Sequence, residues 1–162
     1  MAINSTPVTR ALEEMGVPYT FFAHPGPVKS LEQAAAERNQ RPEQIIRSIL
    51  FRLRPDEYVL VLVAGPQQID WKALRRYLGQ SRVTMAKPDE VLRVTGYQVG
   101  SVSPFGLPQP IRTLVDESVL AQDVISIGSG ARSTTVILTR EDLMQALGEV
   151  EIVQVIRSGK TK

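Results

Sequence analysis

Ser48-Ile49-Leu50-Phe51-Arg52-Leu53, then Arg54-Pro55-Asp56-Glu57, then Tyr58-Val59-Leu60-Val61-Leu62-Val63-Ala64 make one continuous stretch whose reading decides the fold. Both arms have strand length and are rich in aliphatic and β-branched residues. The four residues between them carry a proline and an aspartate suited to a tight turn. The second arm is apolar at nearly every position, as a strand covered on both faces must be, so the arms are expected to pair as a buried antiparallel hairpin.

Working outward toward the N-terminus, Pro42 starts a turn of helix that runs into the first arm. Ser30-Leu31-Glu32-Gln33 reads as a capping box opening a short helix through about Arg38. Tyr19 to Ala23 is aromatic and β-prone, and His24-Pro25-Gly26-Pro27 breaks it. Ser5 or Thr6 caps a first helix with Pro7 at its first position. Val8, Ala11, Leu12 and Met15 recur there at helical spacing until Gly16 ends it.

Toward the C-terminus, Asp70 caps a helix with Trp71, Leu74 and Leu78 inward and Gly79 as its stop. Its outer cations Lys72, Arg75 and Arg76 suit a solvated face, and equally suit nucleic-acid phosphates. Ser81 to Met85 reads as a short strand, and Pro88-Asp89-Glu90 begins a helix that ends at Gly96. Strands follow at Ile111 to Val115, Val124 to Gly128 and Ser133 to Leu138. Thr139 with Asp142 caps a last helix to Leu147, and Val150 to Ile156 is a closing strand. Helices and strands are interspersed without βα alternation, and hairpin connections stand beside crossover helices. The expected class is therefore α+β with a mixed sheet, in one domain over residues 6–156 between flexible ends at 1–5 and 157–162.

Composition narrows the chemistry. A chain of 162 residues that is 43% hydrophobic can build a sizeable core, and a net charge of +2 permits an RNA partner without demanding one. The absence of cysteine excludes disulfides, thiolate nucleophiles and cysteine metal sites. No leader-like or membrane-length apolar run is visible, so a soluble cytoplasmic protein is expected. The single histidine, His24, and the lack of a Gly-x-Ser-x-Gly elbow argue against a serine hydrolase. Scattered carboxylates offer no metal-ligand set, and Gly128-Ser129-Gly130 is followed by no Gly-Lys-Ser/Thr, so neither a metal nor a nucleotide cofactor is expected.

The remaining chemical signal is Gly96-Tyr97-Gln98-Val99-Gly100-Ser101-Val102-Ser103-Pro104-Phe105-Gly106. Its glycines let bare backbone groups approach a ligand, while Pro104 fixes its own φ and restricts Ser103. This loop resembles the GxxxP loop, followed by Phe-Gly, of the prolyl-tRNA synthetase-associated editing domains, the YbaK-like aminoacyl-tRNA deacylases. Thr6-Pro7, His24, Thr95-Gly96-Tyr97, Val115-Asp116-Glu117-Ser118 and Gly128-Ser129-Gly130 match that family in order, over roughly residues 6 to 155.

The resemblance implies a mixed sheet curled into a barrel-like core with helices outside, and a hydrolase that clears misacylated tRNA. The expected substrate is tRNA for proline bearing Ala, Cys, Ser or Thr, and prolyl-tRNA synthetase is a candidate partner. In the family's Ile-x-Lys-Thr/Ser-Leu-Leu-Phe segment, Arg47 of Ile45-Ile46-Arg47-Ser48-Ile49-Leu50-Phe51 stands in the lysine's place. Arginine keeps the charge but yields no proton at accessible pH. A binding module for the tRNA acceptor end or an aminoacyl-nucleotide, inactive for want of the lysine, is therefore the alternative, and a protein-interaction domain is a third.

Carried over residue by residue, the resemblance puts Arg47, Gly100, Ser101 and Asp116 in catalysis. It puts Tyr19, His24, Ser48, Val102, Ser103, Pro104, Phe105, Gly128, Ser129 and Gly130 around the substrate. Residue by residue, plainer roles stay open: helix capping for Asp116, loop capping for Ser101 and Ser103, core packing for Tyr19, and an exposed turn for His24.

Overall fold

The computed structural model describes residues 5–157. Five α-helices and eight strands run in the order α1 (Pro7–Met15), β1 (Thr20–Ala23), α2 (Leu31–Glu37), β2 (Ile46–Arg54), β3 (Glu57–Ala64), α3 (Trp71–Leu78), β4 (Thr84–Met85), α4 (Pro88–Thr95), β5 (Arg112–Asp116), β6 (Val124–Gly128), β7 (Thr134–Thr139), α5 (Arg140–Leu147) and β8 (Glu151–Val153). Short 3-10 turns at Pro42–Gln44 and Glu117–Ala121 precede β2 and β6.

Helix starts follow local chemistry. The hydroxyl of Thr6 accepts from the Thr9 amide at 3.1 Å, the Asp70 carboxylate from the Ala73 amide at 3.0 Å, and the Thr139 hydroxyl from the Asp142 amide at 3.0 Å. At Ser30 the capping is displaced by one residue: the Gln33 amide donates to the serine, but the Gln33 side chain accepts from the Lys29 amide rather than from Ser30.

The hairpin is the centre of the molecule. β2 pairs antiparallel with β3 from Ile46 opposite Ala64 to Arg54 opposite Glu57, and the turn holds Asp56 at φ 64°. One face (Ile46, Leu50, Leu60, Leu62, Ala64) packs with Val8 and Leu12 of α1 and with Ile125, Ile127, Val136 and Leu138. The other (Phe51, Val59, Val61, Val63) packs with Leu74, Leu78, Leu114 and Val153. Each such aliphatic side chain buried contributes about 1.5–3 kcal/mol, so covering both faces commits the hairpin to the interior.

The mixed sheet is split. Five strands lie in the order β4-β2-β3-β5-β8, with β3–β5 and β5–β8 parallel, and three in the order β1-β7-β6. One parallel bridge, Ile45 with Ser126, links the two sheets, which do not close into a barrel. β4 pairs only with Phe51 and Arg52, and the Ala86 amide reaches the Leu50 carbonyl at 3.0 Å. Between that bond and the Ile45 bridge no strand pairs with the outer edge of β2 among the described residues. The strand expected at Ser81 to Met85 is thus only its last two residues.

At the ends, Ser5 accepts from the Arg10 guanidinium at 3.0 Å and the Arg157 amide donates to the Gln68 carbonyl at 2.7 Å. The rest of the ends expected to be flexible, 1–4 and 158–162, lies outside the described residues. No helix among the described residues is long and apolar enough to cross a membrane.

Candidate functional site: a cavity on the open edge of β2

The unpaired edge of β2 faces a cavity of about 390 Å³ whose opposite wall is β6 and the start of β7. Val99, Gly100 and Val102 border it from the Gly96–Gly106 loop, Met85 from β4, Val91 from α4, and Ala86 from the connection between those two elements. Within the wall, the Ser48 hydroxyl is the one buried side-chain polar atom without a hydrogen-bond partner among the described residues. A buried hydroxyl left unpaired costs about 1–3 kcal/mol, which a ligand atom can recover.

The loop is held by the second glycine-rich segment. The Gly130 amide donates to the Ser101 carbonyl at 3.0 Å, and a Cβ on Gly128 would collide with the Val102 carbonyl oxygen. Gly100 takes φ 96°, which turns the backbone at the rim as an L side chain rarely allows. Beneath, the Tyr97 hydroxyl donates to the Phe105 carbonyl at 2.5 Å, and its burial pushes the phenol up to about 12. Backbone groups at Gly100 to Val102 are therefore fixed before any ligand arrives.

Two guanidinium groups reach the wall. Arg47 donates from Nε to the Gly65 carbonyl at 2.8 Å and from Nη2 to the Gln67 carbonyl, and burial lowers its pKa. Arg38, at the end of α2, donates from Nη1 to Ser126 Oγ at 2.7 Å and from Nε to His24 Nε2 at 3.1 Å. Its burial pulls it down to about 10, so it is still charged at neutral pH. His24 Nδ1 lies 2.5 Å from Glu37 Oε1, and the Glu37 pKa is lowered by hydrogen bonds from Gln33 and His24. The His24 side chain is 1% exposed, so it is not an open turn residue.

Of the residues nominated from sequence, Arg47, Ser48, Gly100, Val102 and Gly128 border the cavity. His24 stands one hydrogen bond behind it, through Arg38. Asp116 does not border it: its carboxylate accepts from the Ser118 amide at 2.9 Å and the Val155 amide at 2.7 Å and so caps two backbone segments, the plainer role left open for it. Tyr19 gives its hydroxyl to Glu13 at 2.6 Å on α1, away from the cavity. Ser101, Ser103, Phe105 and Ser129 are buried supports of the loops, not wall residues. Ser103 Oγ accepts from the Phe105 amide, Ser101 Oγ donates to the Gln98 carbonyl, and Ser129 Oγ is spent on Ala131 and Thr134. Pro104 and Phe105 border a separate groove, and Gly130 packs against the Tyr97 ring.

Sequence reasoning missed Arg38, Ser126, Thr134 and Thr135, which also line the cavity. A basic residue at the end of a short helix reads as a partner for the helix dipole, and nothing local links Arg38 to a serine 88 residues later.

The wall contains no carboxylate, and none of its hydroxyls is bonded to a histidine or an acid. No cluster of histidine, cysteine or acidic side chains suited to a metal occurs among the described residues. Fold and cavity together define an α+β domain with a cavity on the open edge of β2, bordered by main-chain groups of the Gly96–Gly106 loop and by Arg38 and Arg47. The profile of the aminoacyl-tRNA editing domain matches residues 25–146, and the chain belongs to that family.

Its relatives include the uncharacterized protein YwhH of Bacillus subtilis (strain 168), 32% identical over 72% of this chain and 73% of that one. The prolyl-tRNA editing protein ProX of Acetoanaerobium sticklandii is 25% identical over 84% of this chain and 85% of its own. A proline–tRNA ligase of Streptococcus thermophilus (strain ATCC BAA-491 / LMD-9) is 35% identical over 81% of this chain, which spans only 20% of the ligase. The crystal structure of a proposed trans-editing enzyme for prolyl tRNA synthetase superposes with a TM-score of 0.87 over 98% of this chain and 99% of that one. At 24% identity it speaks for the fold alone.

Proposed function

We propose that the domain hydrolyses the ester between a small wrong amino acid and the terminal ribose of tRNA, with tRNA for proline as the substrate and prolyl-tRNA synthetase as the enzyme whose errors it clears. The observation that carries this reading is the cavity itself: unpaired Ser48 Oγ, fixed main-chain groups at Gly100 to Val102, and two guanidiniums, with no nucleophile-base pair. An aminoacyl ester is already labile, so positioning water and stabilising the developing oxyanion suffice. Water oxygen bonds the acyl carbon, the carbon–oxygen bond to the ribose breaks, and the ribose oxygen leaves with a proton that the water gives up. A second hydrolytic sieve is useful because small side chains are poorly discriminated at a synthetase.

The test is release of amino acid from tRNA charged with Ala, Cys, Ser, Thr or Pro. One misacylated species is cleaved at least tenfold faster than Pro-tRNA; uniform background rates remove the proposal.

One observation favours the second reading, a binding module for the tRNA acceptor end without turnover. Two donors of Arg47 are already engaged by the Gly65 and Gln67 carbonyls, which leaves this guanidinium less free than a lysine ammonium would be. That reading gives salt-dependent tRNA binding without hydrolysis, and Arg47→Lys then restores cleavage.

A further inference from the structure

We infer that Arg38 is the cation that contacts the substrate in this cavity, donating to an oxygen at the acyl end of the bound ester, and that His24 and Glu37 are positioning residues that aim it. The inference rests on the proposed reading of the cavity as the ester site.

The hydrogen bonds have only one consistent direction. A guanidinium donates and never accepts, so His24 Nε2, 3.1 Å from Arg38 Nε, must carry the lone pair. The ring proton is then on Nδ1 and goes to Glu37 Oε1 at 2.5 Å. Gln33, one turn earlier on α2, donates to the other Glu37 oxygen at 2.8 Å. The ring is almost fully buried with Phe22 edge-on at 4.9 Å, so it is fixed as well as bonded. Such a chain locks a flexible arginine in one rotamer, as a site must if it is to act without reorganising.

Of five guanidinium N–H groups, two are used, on His24 and Ser126, and Ser126 is itself a wall residue. Three remain in a half-buried setting with no carboxylate in the cavity wall to satisfy them. Arg47 differs: its Nε and Nη2 serve carbonyls of Gly65 and Gln67, which do not border the cavity, so its fork is turned toward that loop. A partly negative ester oxygen, gaining charge as water attacks, suits the remaining Arg38 donors through charge-assisted bonds.

The experiment measures kcat, KM and Tm for wild type, Arg38→Ala, His24→Ala and Glu37→Gln on the misacylated tRNA that wild type cleaves best, with and without millimolar guanidinium. Arg38→Ala is expected to lose about 100-fold or more in kcat/KM and to regain at least tenfold with added guanidinium. His24→Ala is expected to lose about tenfold alone and nothing further in the Arg38→Ala background. Arg38→Ala activity within threefold of wild type, or a loss that guanidinium does not restore, overturns the inference and leaves the hydrolase reading standing.

Should wild type not cleave any substrate, the hydrolase reading fails and calorimetry with a stable 3′-aminoacylamino-adenosine takes over. Tenfold weaker binding by Arg38→Ala then supports the contact, and equal binding overturns it. A wild-type chain that neither cleaves the ester nor binds the amide overturns both.

Discussion

Ser48 carries a hydroxyl without a hydrogen-bond partner among the described residues, and single residues of this kind separate stability from function. Ser48→Ala removes an unpaired buried group, so the folded state is expected to hold its stability or gain up to about 1 kcal/mol in urea unfolding. If the hydroxyl serves the ligand, the same change lowers kcat/KM on misacylated tRNA. Stability and activity moving down together would mean that Ser48 is part of the frame. Gly128 gives the opposite case. A methyl group there meets the Val102 carbonyl, so Gly128→Ala is expected to cost about 1–3 kcal/mol and to displace the loop from the cavity. Gly26 has open space around it, and Gly26→Ala is expected to leave the urea midpoint nearly unchanged. Equal effects at the two glycines would contradict the close approach of the loops.

At the scale of elements, β8 is short and is tied to β5 by Glu151, which accepts from Arg112 Nε and Nη2, both at 2.8 Å, and from the Tyr77 hydroxyl at 2.7 Å. Hydrogen bonds from Arg112 first and Tyr77 second hold this carboxyl down to about 2. Because the folded-state pKa lies below the unfolded value near 4.5, the clamp's contribution is complete above that value. It is lost as pH falls through about 2. The carboxylate side chain is 37% exposed, so screening limits the clamp to about 0.5–1 kcal/mol. Glu151→Gln is expected to lower stability by that amount at pH 7 and by clearly less at pH 2, where the folded-state carboxyl is about half protonated, measured from urea midpoints in parallel. A gap at pH 2 as large as that at pH 7 would assign the effect to packing. The same alternation of local and distant ties runs through the other elements: α1, α3 and α5 start on caps within three residues, whereas α2 ends on a side chain directed at β6.

For the whole molecule, the decisive feature is that two sheets meet at one bridge, Ile45 with Ser126, and leave β2 open beyond it. A ligand in that opening is expected to slow amide exchange at residues 46–49 and 126–128 while 59–63, inside the sheet, change little. Uniform slowing would point to general stabilisation instead. The hairpin, the caps at Thr6, Asp70 and Thr139, the α+β class and the Gly-Pro loop were legible from residues alone, because each rests on contacts within a few positions or on the periodicity of a single strand. Resemblance added Arg47, Ser48, Gly100, Val102 and Gly128, all of which border the cavity. Arg38 and Ser126 escaped notice, and Asp116 turned out to cap backbone, because those outcomes depend on which distant segments the two sheets bring together. Local chemistry in the chain determined the elements and the loop; only the tertiary structure decided which charges face the cavity, since the direction of a long side chain is set by partners that pairing of the sheets supplies.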